Sequence, residues 1–220
     1  MRVEVRGLAR SFGSVEALCG LDFTIEPGER VALIGPNGSG KSTLTRALMG
    51  LIGFRGEVRL DGSCPLRERI RVARQLAYVP QIAPRLAAPV GELLRAVRSV
   101  RGETLSGVDD LARRFDLDLD ALASRPFSAL SGGMKQKLLL ALALGSRASL
   151  LILDEPIGSL DAESRERFYE LIRDLPEDVT LLLCSHRLEE QAALVQRAIA
   201  LEEGRQRFDG PAGDLRVARV

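Results

Sequence analysis

The chain contains no tryptophan, one histidine and three cysteines, and aromatic residues make up only 4 % of its 220 residues. Cys19, Cys64 and Cys184 stand far apart and show no metal-ligand spacing. That argues against a disulfide framework or a cysteine-bound metal, and for unpaired thiols in a reducing compartment. A long apolar run is also missing. The longest, from about Leu138 to Leu144, stops at Gly145 and falls far below the roughly 18 residues of a membrane span. Met1 to Val5 alternates polar and apolar residues rather than opening a signal peptide. The expectation is a cytosolic chain that reaches a membrane only through a partner. Charge of one sign is lacking too: 31 basic residues against 30 acidic ones leave a formal charge of +1. Such a balance offers no bulk field for nucleic acid or anionic lipid, so no nucleic-acid partner is expected. Lysine is scarce, and Lys41, Lys135 and Lys137 all fall within the motifs described below.

What is present suffices for one compact α/β domain, with 45 % hydrophobic residues to build its core. Val3–Arg6 and Leu21–Glu26 alternate like half-buried strands. After the turn at Pro27–Glu29, residues 30–34 read as a buried strand entering a Gly-rich loop, and a helix is expected from Lys41 to about Gly50. Residues 56–60 and 75–79 alternate again. From about Pro80 to Leu130 the pattern turns helical, with Leu93, Leu94, Val97 and Val100 on one face and Val108, Leu111 and Ala112 beside Phe115 on another. Residues 150–154 and 179–185 are continuous apolar runs of the kind buried on both faces of a parallel sheet. A helix from Ala162 to Leu175 separates them. The fold class expected is α/β: a mostly parallel sheet with helices on both sides, an antiparallel N-terminal part, and a helical subdomain at about 82–146 inserted in a single domain spanning 1–220.

The strongest chemical signal is Gly35-Pro36-Asn37-Gly38-Ser39-Gly40-Lys41-Ser42, which matches the phosphate-loop pattern G-x-x-x-x-G-K-[ST]. Glycines let the backbone wrap so that its N–H groups face phosphate oxygens, and the following helix start adds its positive dipole end. Lys41 would reach the β and γ phosphates, and the Ser42 hydroxyl would bind Mg2+. A second signal is the apolar run 150–153 ending in Asp154 and Glu155. An acidic residue at such a strand end can hold the water shell of the metal, and its neighbour can polarise a water for attack on the γ-phosphate. Together these say P-loop NTPase; a kinase or a GTPase could share them.

The segment Leu130-Ser131-Gly132-Gly133-Met134-Lys135-Gln136 is more specific. Here the chain resembles the ABC ATPase family, whose signature reads LSGGQ followed by a basic residue and Gln. Met134 takes the usual Gln position, a variation associated with exporter-like branches. Ser131 and the two glycines would open a helix to about Gly145, as a plain N-cap or as a second phosphate-binding surface. The remaining family motifs occur in order over essentially the whole chain. Phe12 before Gly13 resembles the aromatic that stacks on adenine, although alone it reads as core. Gln81 after Tyr78-Val79-Pro80 resembles the glutamine that senses Mg2+ and the attacking water. Ser159-Leu160-Asp161 resembles the loop that crosses to a second protomer, a role compatible with capping the next helix. His186 resembles the switch histidine that contacts the γ-phosphate. One departure is Ile157 after Pro156, where the family usually has Thr.

By this resemblance the catalytic residues are Glu155, His186, Gln81 and Lys41. The nucleotide contacts are Phe12, Gly35, Pro36, Asn37, Gly38, Ser39, Gly40, Lys41, Ser42, Thr43, Ser131, Gly132, Gly133 and Asp161. Mg2+ falls to Ser42, Gln81 and, through water, Asp154. The resemblance implies an ATP-hydrolysing subunit that works as a homodimer or heterodimer of ATPase subunits with polytopic membrane permease subunits, peripheral on the cytoplasmic face. Overall texture, including the run from Leu183 to Glu189, looks similar to exporter-type ATPases, among them those of the copper-dependent nitrous oxide reductase maturation system. Two alternatives stand beside it: a soluble ABC ATPase of iron–sulfur cluster assembly, and a P-loop kinase outside the family.

Overall fold

The computed structural model describes residues 1–101, 106–185 and 192–216. The chain opens with a hairpin of β1 (Val3–Phe12) and β2 (Val15–Ile25). β3 (Arg30–Ile34) leads into α1 (Lys41–Leu48). β4 (Arg55–Leu60), α2 (Arg69–Gln75) and β5 (Leu76–Val79) follow. Then come α3 (Val90–Arg101), α4 (Ser106–Arg114), α5 (Leu119–Leu122) and α6 (Gly132–Gly145). The rest is β6 (Leu150–Asp154), α7 (Ala162–Arg173), β7 (Thr180–Ser185), β8 (Arg197–Glu202) and β9 (Arg205–Pro211).

Two sheets result. One is antiparallel, in the order β2-β1-β4; the other has six strands in the order β5-β6-β7-β3-β8-β9. In the larger sheet only the β8–β9 pair is antiparallel. Its central strands alternate between two cores. Leu151, Leu153, Leu181 and Leu183 join a cluster with residues of α4, α6 and α7. Leu150, Ile152, Leu182 and Cys184 join the other, with α1 and the apolar faces of β1, β2 and β4. Burial on both faces is why these strands read as unbroken apolar runs, and at roughly 1.5–3 kcal/mol per buried aliphatic side chain it is the main stabilising term here.

The expected strands at 30–34 and 150–154 have those bounds, and the strand expected at 179–185 starts one residue later. The antiparallel hairpin is longer than the alternation indicated. Gly7, Gly13 and Gly20 interrupt the sequence pattern, and register shifts within β1 absorb the irregularity. α2 was not expected, because Val72 alone is buried along it. β9, an edge strand of alternating partial burial, gave no run to detect. Between β5 and β6 the regular elements described are all helical.

Candidate nucleotide-binding site

Parallel strands bring their C-terminal ends to one edge of the sheet, which is where α/β folds bind ligands. β3 ends there in residues 35–40. Its neighbour β7 ends in Ser185, the next strand β6 in Asp154, and β5 runs out toward Pro80 and Gln81. Segments as far apart in sequence as Gly35 and Ser185 are thereby gathered on one rim. His186 lies outside the described residues.

The loop is built by close approach. Gly35 has φ 151°, and a Cβ there would stand 2.1 Å from the Leu201 carbonyl oxygen; Gly40 has φ 106°, and a Cβ would stand 2.7 Å from that of Ala17. Neither position tolerates a side chain. The loop is tied to its surroundings by Gly204 N–H, which donates to Ser39 O at 3.0 Å, while Cys19 N–H donates to Gly204 O at 2.9 Å. Lys41, only 8 % exposed, folds its ammonium back onto the loop and donates to the carbonyls of Gly35 (2.5 Å) and Pro36 (3.0 Å). Ser42 and Thr43 follow in the first turn of α1. Pro36, Asn37 and Gly38 are exposed, and a Cβ at Gly38 would meet nothing within 4 Å. The loop's outer face is open to a ligand. Ser39 Oγ is buried without a hydrogen-bond partner among the described residues.

Asp154 is 6 % exposed. Burial pushes its carboxyl above the usual carboxylate range, and the neighbouring Glu155 adds to that. A hydrogen bond donated by Tyr78 Oη at 3.3 Å and the positive charges of Lys41 and Arg46 pull the other way. Tyr78 itself is pushed well above its ordinary value by burial and by Asp154. A desolvated carboxylate beside an ammonium-capped loop suits a hard cation whose other ligands are water and phosphate oxygens. Glu155 turns the chain in the left-handed region (φ 48°), which is costly for a residue with a side chain and marks functional sites. Its N–H donates to Cys184 O at 3.0 Å.

Ser131 caps α6, accepting from Met134 N–H at 3.2 Å. This end packs on the segment after β6. A Cβ at Gly133 would stand 3.2 Å from Ser159 O, whereas one at Gly132 would meet nothing within 4 Å. Buried Gln136 donates from Nε2 to Pro156 O at 3.1 Å, and Lys137 Nζ lies 3.1 Å from Asp161 Oδ2. Asp161 also caps α7 through Ser164 N–H at 2.8 Å, and these bonds hold its carboxyl well below the usual range. Lys135 donates to Ser128 O at 2.9 Å. Ser131, Gly132 and Gly133 therefore sit against residues 156–161 and present an open helix start to solvent. Ile157, the departure from the family pattern, is 6 % exposed and packs in the core. Phe12 lies at the hairpin tip, 44 % exposed, and Gln81 is exposed beyond β5. The contacts that Tyr78, Arg46 and Lys137 make at the site were not expected from the sequence. Only spacing along a strand or helix could have pointed to them, and that spacing does not reveal the partner.

Comparison with known proteins decides the family. The ABC transporter family profile matches residues 18–158. The chain belongs to the ABC transporter family. Among curated relatives, the sulfate/thiosulfate import ATP-binding protein CysA of Bradyrhizobium diazoefficiens is 36 % identical over 218 residues, covering 93 % of this chain and 62 % of the relative. The phosphonates import ATP-binding protein PhnC 2 of Pseudomonas syringae pv. syringae is 35 % identical, covering 97 % of this chain and 85 % of the relative. The solved structure of an ATP-binding subunit of an ABC transporter superposes with a TM-score of 0.88 at 27 % identity, covering 99 % of this chain and 93 % of that one. The ABC chain described here has the fold of those ATP-binding subunits. Among its described residues no helix is long and apolar enough to cross a membrane.

Proposed function

We propose that this ABC chain binds ATP at residues 35–43 and hydrolyses it to drive a separate membrane permease. The observation that carries this reading is the convergence of a Lys41-capped, outward-open loop with Asp154 and Glu155 on one sheet edge. Loop N–H groups and Lys41 bind the phosphates, and Phe12 takes the base. Ser42 and Gln81, and Asp154 through water, would hold magnesium, whose charge would offset that of the β and γ phosphates. Glu155 accepts a proton from a water that attacks the γ-phosphorus. The bond from γ-phosphorus to the bridging oxygen breaks, and ADP and phosphate leave. His186 contacts the γ-phosphate in the closed state. The capped, solvent-facing start of α6 supports a second reading of the same site: Ser131, Gly132 and Gly133 of one protomer cover the nucleotide of another, with Asp161 at the crossing loop.

Partner attachment is supported by a groove of about 510 Å³ lined by Met49, Leu51, Val72, Leu86, Val97 and Leu139 among others. Leu51 and Val100 of its lining are 67 % and 54 % exposed, and Ile82, in the segment between β5 and α3, is 82 % exposed. An apolar patch of this kind on an otherwise charged surface marks a docking site. Both curated relatives above carry import in their names, so Met134 does not by itself carry an export reading, and transport is proposed without a direction. The groove is tested by single cysteines at Ile82 and Val100 in native membranes. We expect each to cross-link to a polytopic membrane protein, and a cysteine at Arg207 not to. Cross-links from Arg207 alone would overturn the assignment of this face.

A further inference from the structure

The hairpin tip carries an interaction outside the family motifs. The Arg10 guanidinium lies over the Phe12 ring, 4.6 Å from its centroid. Residues i and i+2 of a strand share a face, so β1 presents the two side chains together. Arg10 is half-buried. Its Nε is buried and has no hydrogen-bond partner among the described residues, and its Nη1 reaches to 3.8 Å from the position a Cβ would take at Gly53. Phe12 is 44 % exposed, and because the guanidinium lies over one face of its ring, the opposite face is the one left for a ligand. The guanidinium thus backs the ring as the base of a stack, leaving a single face to offer.

β2 passes close to the phosphate loop at Ala17, whose carbonyl oxygen stands 2.7 Å from a Cβ built on Gly40. Phe12 pairs with Val15, two residues before Ala17. The ring is therefore carried at the end of β1, on the strand paired with the one that touches the loop. An exposed phenylalanine at a turn tip would otherwise sample several rotamers, and ordering it on binding would cost affinity.

From this geometry we infer that Arg10 is a positioning residue for nucleobase stacking: it fixes the Phe12 ring by cation–π contact so that one face receives the base. The inference rests on the proposed ATP site, and its test separates the two. Affinities for magnesium ATP and magnesium tripolyphosphate, which has no base, are measured on the full chain. The variants are Arg10→Ala, Arg10→Met, Arg10→Lys, Phe12→Ala and Phe12→Ala with Arg10→Ala. A cation–π contact at an exposed site corresponds to about two- to five-fold in affinity. Arg10→Ala and the near-isosteric Arg10→Met should weaken ATP by that factor and leave tripolyphosphate unchanged. Arg10→Lys, which keeps a cation over the ring, should recover most of the loss. In the Phe12→Ala background Arg10→Ala should add nothing, as expected for two residues acting as a unit. Tighter ATP binding by Arg10→Ala, weaker tripolyphosphate binding, or additive losses would overturn the inference. A wild-type chain that binds neither compound would instead sink the ATP site itself.

Discussion

Two side chains at the sheet edge oppose each other in what they cost and what they do. Lys41 is held against the Gly35 and Pro36 carbonyls, a point charge already aimed at the loop. We expect Lys41→Ala to weaken ATP by roughly ten- to a hundredfold, since a charge-assisted contact contributes about 1.5–3 kcal/mol; titration with a fluorescent ATP analogue checks this, and unchanged affinity would mean that the phosphate loop is misassigned. Asp154 carries a raised pKa from burial, offset in part by the Tyr78 hydrogen bond. The form that would hold magnesium is the carboxylate, present above its pKa and lost as pH falls through it. Tyr78→Phe removes an interaction that lowers that pKa, so the acid limb of kcat/KM, which reports the free enzyme, should move to higher pH. An unmoved or lowered acid limb would show that Tyr78 does not tune Asp154. The glycines, Lys41 and the acidic pair were legible in the sequence because each chemistry demands a residue type at fixed spacing. Tyr78 was not, because its partner is 76 residues away and only strand pairing of β5 with β6 brings them together.

Elements divide along the same line. β3, β6 and β7 were legible because strands buried on both faces need unbroken apolar runs, and α7 because an N-cap, Asp161, precedes an amphipathic stretch. α2 and β9 were not, since a helix with one buried residue and a half-exposed edge strand leave no periodic signal. α6 was expected from its signature. Its anchoring was not. Gln136 alone within it sends a buried amide to Pro156 O, joining the signature helix to the exit of β6. Replacing Gln136 with Leu leaves that carbonyl unsatisfied, at a cost of about 1–3 kcal/mol. We expect a lowered denaturant midpoint with an unchanged m-value, and a hydrolysis rate that falls by more than ATP affinity does. A variant with wild-type stability and turnover would mean that the bond does not couple the helix to the site.

At the scale of the molecule, the proposed site is divided between two surfaces of one chain. Its phosphate loop opens outward at Gly38, and its signature helix, packed beside residues 156–161, opens outward at Gly132. Two protomers arranged head to tail would complete two sites, each with the γ-phosphate as shared ligand. The measurement that tests this most directly is sizing chromatography of Glu155→Gln, alone and combined with Ser131→Arg, with ATP and with ADP. Glu155→Gln keeps the shape and most hydrogen bonding but cannot take up the proton, so ATP should persist. We expect a monomer without nucleotide and with ADP, a dimer with ATP, and a monomer again for the double variant with its phosphate loop still occupied. A Glu155→Gln chain that stays monomeric at saturating ATP would contradict the self-paired site.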